Sequence, residues 1–195
     1  GHMYSRVSNP NRSALENTVA KLEYGEDAAA FSSGNTCGLA MFQALKPGSH
    51  IIAPDDMYWG IKKQLLTIFN ESLEFDFVDQ TDLKLIENSI KLNTKLIWIE
   101  TPSNPLLKVT DIEEIAKIAK AKNILVACDN TWATPFFTRP FELGVDLVMH
   151  STTKYFGGHS DILGGCVILP ADSSQRDLAN KIRTFQTVGG GVPSP

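Results

Sequence analysis

Apolar residues in this chain fall into two kinds of run. Short blocks of aliphatic and β-branched side chains alternate with longer stretches in which apolar positions recur every three or four residues, and that alternation predicts an α/β fold. The blocks read as strands are Ala28 to Ser32, His50 to Pro54, Glu74 to Val78, Lys95 to Glu100, Ile124 to Asp129, Asp146 to His150 and Gly165 to Leu169. The stretch SALENTVAKLEYG reads as a helix, with Ser13 as its cap, Glu16 at capping-box spacing and Gly25 as its stop. TDIEEIAKIAKAKN repeats the design, with Thr110 or Asp111 as cap and Ile112, Ile115, Ala116 and Ala119 as the apolar stripe. No repeat or low-complexity tract interrupts the pattern before GGGVPSP, where glycine and proline punctuate the chain.

Composition narrows the function classes. The 195 residues, 43% hydrophobic and 21% charged, suffice for one sizeable core. A net charge of -4 gives no basic footprint, so nucleic acid is not an expected partner. No apolar stretch approaches the roughly 20 residues of a bilayer span and no signal peptide opens the chain, so a cytoplasmic location without membrane contact is expected. Gly1, His2 and Met3 read as the remnant of a cleaved tag, which puts the natural start near Tyr4. Cys37, Cys128 and Cys166 are odd in number and lack zinc-ligand spacing, so they read as buried free thiols and no metal is expected.

Chemistry in an open α/β sheet belongs at the carboxyl ends of the strands, and four polar clusters fall there. In SSGNTCG, Ser33, Gly34, Asn35 and Thr36 open a helix whose N–H groups suit a phosphate, although a plain helix cap accounts for the same residues. The cluster has neither the Walker Gly-Lys-Ser/Thr nor the GxGxxG of a dinucleotide fold. In PDDMYWG, Tyr58 stands at a helix start, where its ring can stack on a flat ligand or simply pack. In CDNTWATP, Asp129 ends a strongly apolar strand, where an unpaired charge is costly. An N-cap role is the alternative, against which stand the non-helical signals of NTWATP, Pro135 among them. In HSTTKYFGGHSD, the hydroxyls of Ser151 and Thr153 can donate to an anion beside Lys154, which a preceding apolar strand would desolvate into a nucleophile. A solvated lysine on a turn is the other reading. A phosphate cradle, a ring stacker, a buried carboxylate and a hydroxyl-flanked lysine together make the set needed to hold pyridoxal phosphate.

YSRVSNPNR, SSGNTCG, TPSNPLLKVTDI, DNTWATP and HSTTKYFGGHSDILGG, in that order, closely resemble the trans-sulfuration family of fold-type I pyridoxal-phosphate enzymes. That family includes cystathionine γ-synthase, cystathionine γ-lyase, cystathionine β-lyase, methionine γ-lyase and O-acetylhomoserine sulfhydrylase. The resemblance runs from Tyr4 to Pro195 and implies an aspartate-aminotransferase-like large domain, a mostly parallel sheet flanked by helices. It also implies roles: Lys154 to hold the cofactor's aldehyde, Asp129 to pair with the ring nitrogen beside Thr131, and Tyr58 to stack and help move protons. Gly34 and Asn35 would form the phosphate turn with Ser151 and Thr153. Asn104 would lie on the 3-hydroxyl side. Tyr4 and Arg6 resemble the pair that reaches the phosphate of a neighbouring subunit, which implies a homodimer or tetramer.

There are departures. Family members are much longer, and their C-terminal domain supplies the arginine that grips the substrate carboxylate, so residues 4–195 are expected to be the cofactor domain with the C-terminal domain absent. MYWGIKK replaces the family's usual Tyr-Gly-Gly-Thr, and the lack of a cysteine beside Tyr58 counts against methionine γ-lyase. The expected function is elimination or replacement at Cβ or Cγ of sulfur amino acids or activated homoserine, of the cystathionine γ-synthase or γ-lyase type, with a small amino acid as substrate. The alternative is a non-catalytic truncated chain serving as a structural or regulatory subunit.

Overall fold

The structure is a computed structural model, and it describes residues 1–169 and 176–194. The chain forms two compact units, Gly1–Ala44 with Val148–Pro195, and Leu45–Leu147. Within the first unit the strands Asp27–Phe31, Gly165–Leu169 and Leu147–His150 are hydrogen-bonded in that order, and within the second Leu125–Asp129, Thr94–Glu100, His50–Pro54 and Glu74–Val78 are hydrogen-bonded in that order.

The first unit holds helix α1 (Pro10–Leu22), strand β1 (Asp27–Phe31), helix α2 (Gly34–Gln43), most of strand β6 (Leu147–His150), strand β7 (Gly165–Leu169) and helix α7 (Arg176–Thr187). Strand β7 lies antiparallel to both neighbours, pairing Cys166 with Ala30 on one side and with His150 on the other. Ala28, Ala29, Ala30 and Phe31 are fully buried, and α1, α2 and α7 pack around β1.

Helix α1 corrects the sequence expectation at both ends. It begins three residues before Ser13, with Pro10 at its first position and Asn9 as cap, whose side chain accepts from the N–H groups of Asn11 (2.9 Å) and Arg12 (3.4 Å). Proline's fixed φ and missing donor suit a first helical turn, so this start outcompetes the Ser13 box. Glu16 is thereby released from capping and turns inward. Its Oε1 accepts from the Ala30 N–H (2.8 Å) and from Gln186 Nε2 (2.7 Å), and Arg183 lies 3.0 Å away. At the far end Tyr24, not Gly25, takes the left-handed conformation (φ 59°), and the Gly25 N–H donates back to the Ala20 carbonyl (2.9 Å). The buried Arg12 guanidinium donates to the carbonyls of Ser5 (2.7 Å) and Val7 (2.8 Å), fastening the N-terminal segment onto the start of α1.

The second unit holds β2 (His50–Pro54), α3 (Trp59–Thr67), β3 (Glu74–Val78), α4 (Leu83–Ser89), β4 (Thr94–Glu100), α5 (Ile112–Ala121), β5 (Leu125–Asp129) and the one-turn helix α6 (Thr134–Phe137). Its strands β3, β2, β4 and β5 are all parallel. Parallel strands are covered on both faces, which is why HIIAP and LIWI are continuous apolar runs and lie buried. On α5, Asp111 is the cap, accepting from the Glu114 N–H (3.0 Å), and the expected stripe of Ile112, Ile115, Ala116 and Ala119 is the buried face. Pro135 stands in the first turn of α6 rather than preventing it, because the N–H that proline lacks is not needed there.

Candidate active site

The parallel strands of the second unit end in acids. β5 ends on Asp129 (7% exposed), β4 on Glu100 (7% exposed), and two residues past β2 lies Asp56 (9% exposed). Glu100 and Asp129 are direct register partners. Residues paired across neighbouring strands point to the same face, so the two carboxyl groups are neighbours. Asp129 Oδ1 accepts from both the N–H (3.0 Å) and the hydroxyl (2.6 Å) of Thr131, which supplies the partner that its burial demands. Beneath it Asn130 is fully buried and donates to the Thr138 carbonyl (2.9 Å), fixing the turn that leads to α6.

Glu100 is the residue sequence reasoning missed. Its Oε2 accepts from the peptide N–H of Tyr58 (2.8 Å), the residue that immediately precedes α3 and leaves its own ring half in solvent. Burial, then the charge of Asp129, then that of Asp56 raise the Glu100 carboxyl to about 8, against the pull of the Tyr58 N–H. Asp56 is tied down by the hydroxyl of Ser103 and by the Leu106 N–H (2.9 Å), while the Lys108 N–H donates to Ser103 Oγ (2.9 Å). These bonds shape the loop that carries Asn104, which stands exposed. The signal was present: Glu100 closes an apolar strand as Asp129 does.

The first unit builds a different surface. α2 starts as expected, with Ser33 as cap and its Oγ accepting from the Thr36 N–H (3.1 Å). Gly34 lies so close to Ser151 that a Cβ built on it would stand 2.9 Å from the Ser151 Cβ. Glycine at that position brings the N-terminus of α2, with Asn35 exposed at its first turn, against the hydroxyl beyond β6. Gly165 does the same on the other side: a Cβ there would meet the Ser33 carbonyl oxygen at 2.4 Å and Cys37 Sγ at 2.5 Å. Thr153 Oγ1 is engaged with Gly164, donating to its carbonyl (3.2 Å) and accepting from its N–H (3.1 Å), so it closes the 151–164 loop. Lys154 lies in the turn of that loop and is exposed. The expectation that the preceding strand would desolvate it is therefore corrected: β6 stops at His150, and three residues of turn carry the lysine away from the apolar strand. Behind the loop His150 is buried, hydrogen-bonded to Glu23 and edge-on to Phe156.

Tyr4 and Arg6 sit on the N-terminal segment of the first unit. Both are exposed, with the Arg6 guanidinium over the Tyr4 ring and donating to the Thr187 carbonyl. All three cysteines are buried thiols, and burial pushes the Cys166 thiol's pKa upward. Among the described residues no cluster of His, Cys, Asp and Glu could hold a metal, and no helix is long and apolar enough to cross a membrane.

Relatives of this chain carry cystathionine chemistry in their names. Over its whole length it is 42% identical to a probable cystathionine gamma-synthase of Herpetosiphon aurantiacus, of which it covers 60%, and 43% identical to a cystathionine gamma-lyase of Bacillus subtilis, of which it covers 51%. Among solved structures, metB from Corynebacterium glutamicum matches all of this chain with a TM-score of 0.93 at 41% identity, and this chain covers 50% of it. A cystathionine gamma-lyase from Lactobacillus plantarum complexed with L-serine matches with the same TM-score at 40% identity, again over half its length. The chain thus spans about half the length of most of these relatives. Their fold is the mostly parallel sheet flanked by helices of the fold-type I enzymes. The model for Cys/Met metabolism PLP-dependent enzymes matches residues 1–195, and the chain belongs to that family.

Proposed function

We propose that this chain is the cofactor-binding domain of an enzyme that eliminates or replaces a group at Cβ or Cγ of sulfur amino acids or activated homoserine, of the cystathionine γ-synthase or γ-lyase type. The observation that carries the reading is the tight approach of Gly34 to Ser151 in the same unit as Lys154, within the motifs the family shares. The residues present fit pyridoxal phosphate: the start of α2 and the Ser151 hydroxyl suit its phosphate, and the buried Asp129 suits a protonated ring nitrogen. When bound, pyridoxal phosphate supplies an electron sink for the charge left on Cα.

The chain's own groups do the rest. Lys154 would hold the cofactor's aldehyde and, once released, move the proton at Cα. Asp129 would hold the proton at the ring nitrogen, oriented by the two bonds from Thr131. Tyr58 would cover the ring, Thr131 and Asn104 would flank it, and Gly34, Asn35, Ser151 and Thr153 would shape the phosphate end. Tyr4 and Arg6 would complete the phosphate site of a second copy, making the working form a homodimer or tetramer. A cytoplasmic location belongs to this reading and is supported by three buried cysteines kept as thiols.

The test is covalent trapping. Borohydride reduction of the chain with pyridoxal phosphate should leave the pyridoxyl group on the peptide containing Lys154, and K154A should lose that adduct. An equal yield of adduct elsewhere in K154A would refute the role given to Lys154.

A further inference from the structure

We propose that Glu100 is a positioning residue: it is the protonated member of a carboxyl pair with Asp129, which leaves Asp129 the charged member, and it anchors Tyr58 through that residue's peptide N–H. The functional side of this inference rests on the reading above, since it concerns what Asp129 and Tyr58 present to the cofactor.

Three observations carry it. The first is placement: Glu100 and Asp129 are register partners at the carboxyl ends of β4 and β5, and both are 7% exposed. A buried carboxyl beside another negative charge is driven toward its neutral form. The second is the hydrogen bonding, which assigns the proton. Asp129 accepts two hydrogen bonds from Thr131, an arrangement that stabilises an ionised carboxylate, whereas Glu100 accepts from the Tyr58 N–H. The third is the surrounding charge. The charged groups acting on Glu100 are Asp129 from β5 and Asp56 from the loop after β2, both acidic, and burial works in the same direction. A carboxyl raised to about 8 is mostly neutral at pH 7.

Two consequences follow for the site. A ring nitrogen held by Asp129 meets one negative charge rather than two. The Tyr58 backbone is held by a neutral acid whose oxygen accepts the N–H, so the ring position is coupled to the proton on Glu100.

The sign of the pH effect is fixed by linkage. Glu100 is raised from 4.5 in the unfolded chain to about 8 in the folded one, so the folded state binds the extra proton between those values. Its contribution to stability is complete below pH 4.5 and is lost as pH rises through about 8. Urea unfolding of the cofactor-free chain from pH 5 to 9 should show the wild type losing stability relative to Glu100→Gln across that window. Infrared spectra at pH 7 should show a protonated carboxyl band that Glu100→Gln removes. Asp129→Asn should pull the upper end of the window to lower pH. Parallel stability profiles for the wild type and Glu100→Gln, or an unchanged carboxyl band, would overturn the pairing.

The anchoring role is read by pyridoxal phosphate titration. Glu100→Ala should weaken binding about fivefold, the scale of one lost hydrogen bond, and Glu100→Gln should restore it because its amide oxygen still accepts the Tyr58 N–H. Equal weakening in both variants would overturn the anchor. Failure of every variant and the wild type to take up the cofactor, with the pH profiles as expected, would sink the proposed function and uphold the carboxyl pair.

Discussion

The turn around Gly34, Ser151 and Gly165 and the acidic strand ends at Asp56, Glu100 and Asp129 are built on opposite principles. The first is a matter of space: glycines let backbone and hydroxyl groups approach until no Cβ fits, and its polar groups are peptide N–H and Ser/Thr O–H. The second is a matter of charge: three acids lie buried, Asp56 held by Ser103 and Leu106, Asp129 by Thr131 and Glu100 by the Tyr58 N–H, and Glu100 is driven toward neutrality by the other two. Under the proposed function the first would meet a phosphate, which asks for crowded donors, and the second a protonated ring nitrogen, which asks for one fixed negative charge. The comparison implies that the first region responds to side-chain volume and ignores pH, whereas the second responds to charge and tolerates isosteric exchange.

The strongest way to break that contrast is at Gly165. Gly165→Val puts carbon against the Ser33 carbonyl and the Cys37 sulfur, both part of a closely packed start to α2, and should cost about 3 kcal/mol or more. Urea unfolding should give the same loss at pH 6 and pH 8; a loss that varied with pH would mean that charge also governs this region.

A smaller and opposite behaviour is expected at Asp56. Asp56→Asn keeps an acceptor for Ser103 and the Leu106 N–H but removes one of the negative charges facing Glu100. Glu100 should then give up its proton at a lower pH, moving the end of the stability window down from about 8 by a fraction of a unit, worth about 1 kcal/mol or less. Stability curves of Asp56→Asn and the wild type that coincide at every pH would remove Asp56 from the charge-governed set.

The smallest effect separates two candidate caps. Asn9→Ala should cost about 1 kcal/mol because it strips the first turn of α1 of its acceptor, while Ser13→Ala, inside the helix, should be nearly neutral. Equal losses would restore the capping role that the sequence suggested for Ser13.

How much of this was legible follows from which interactions are local. Strands whose apolar runs are bounded by polar residues were placed to within a residue, because burial on both faces leaves a direct mark in composition. The α2 and α5 caps were legible for the same reason: Ser33 and Asp111 bond to N–H groups three residues away. The α1 start was not, since Asn9 and Ser13 both satisfy a local rule and Glu16 is decided by Ala30 and Gln186, far off in sequence. Glu100 was passed over because its partner lies across a strand pair, 29 positions on, and register between parallel strands is written in no single segment. The end of β6 at His150 was legible, but the exposure of Lys154 was not, because the course of the turn beyond it is set by Thr153 bonding to Gly164, eleven positions on.

Arg12 gives the N-terminal segment a property that its exposure conceals. By donating to the carbonyls of Ser5 and Val7 from inside the first turn of α1, the guanidinium sets the backbone on either side of Arg6 before anything is met. A loose tail would lose roughly 1 to 2 kcal/mol of conformational freedom for each residue it fixed on docking. Here that loss is taken during folding, so under the proposed function Tyr4 and Arg6 would be offered to a second copy on a segment already fastened to the start of α1. Encounter between copies would then be a meeting of preformed surfaces, its rate set by diffusion and orientation rather than by a search through the conformations of a free arm.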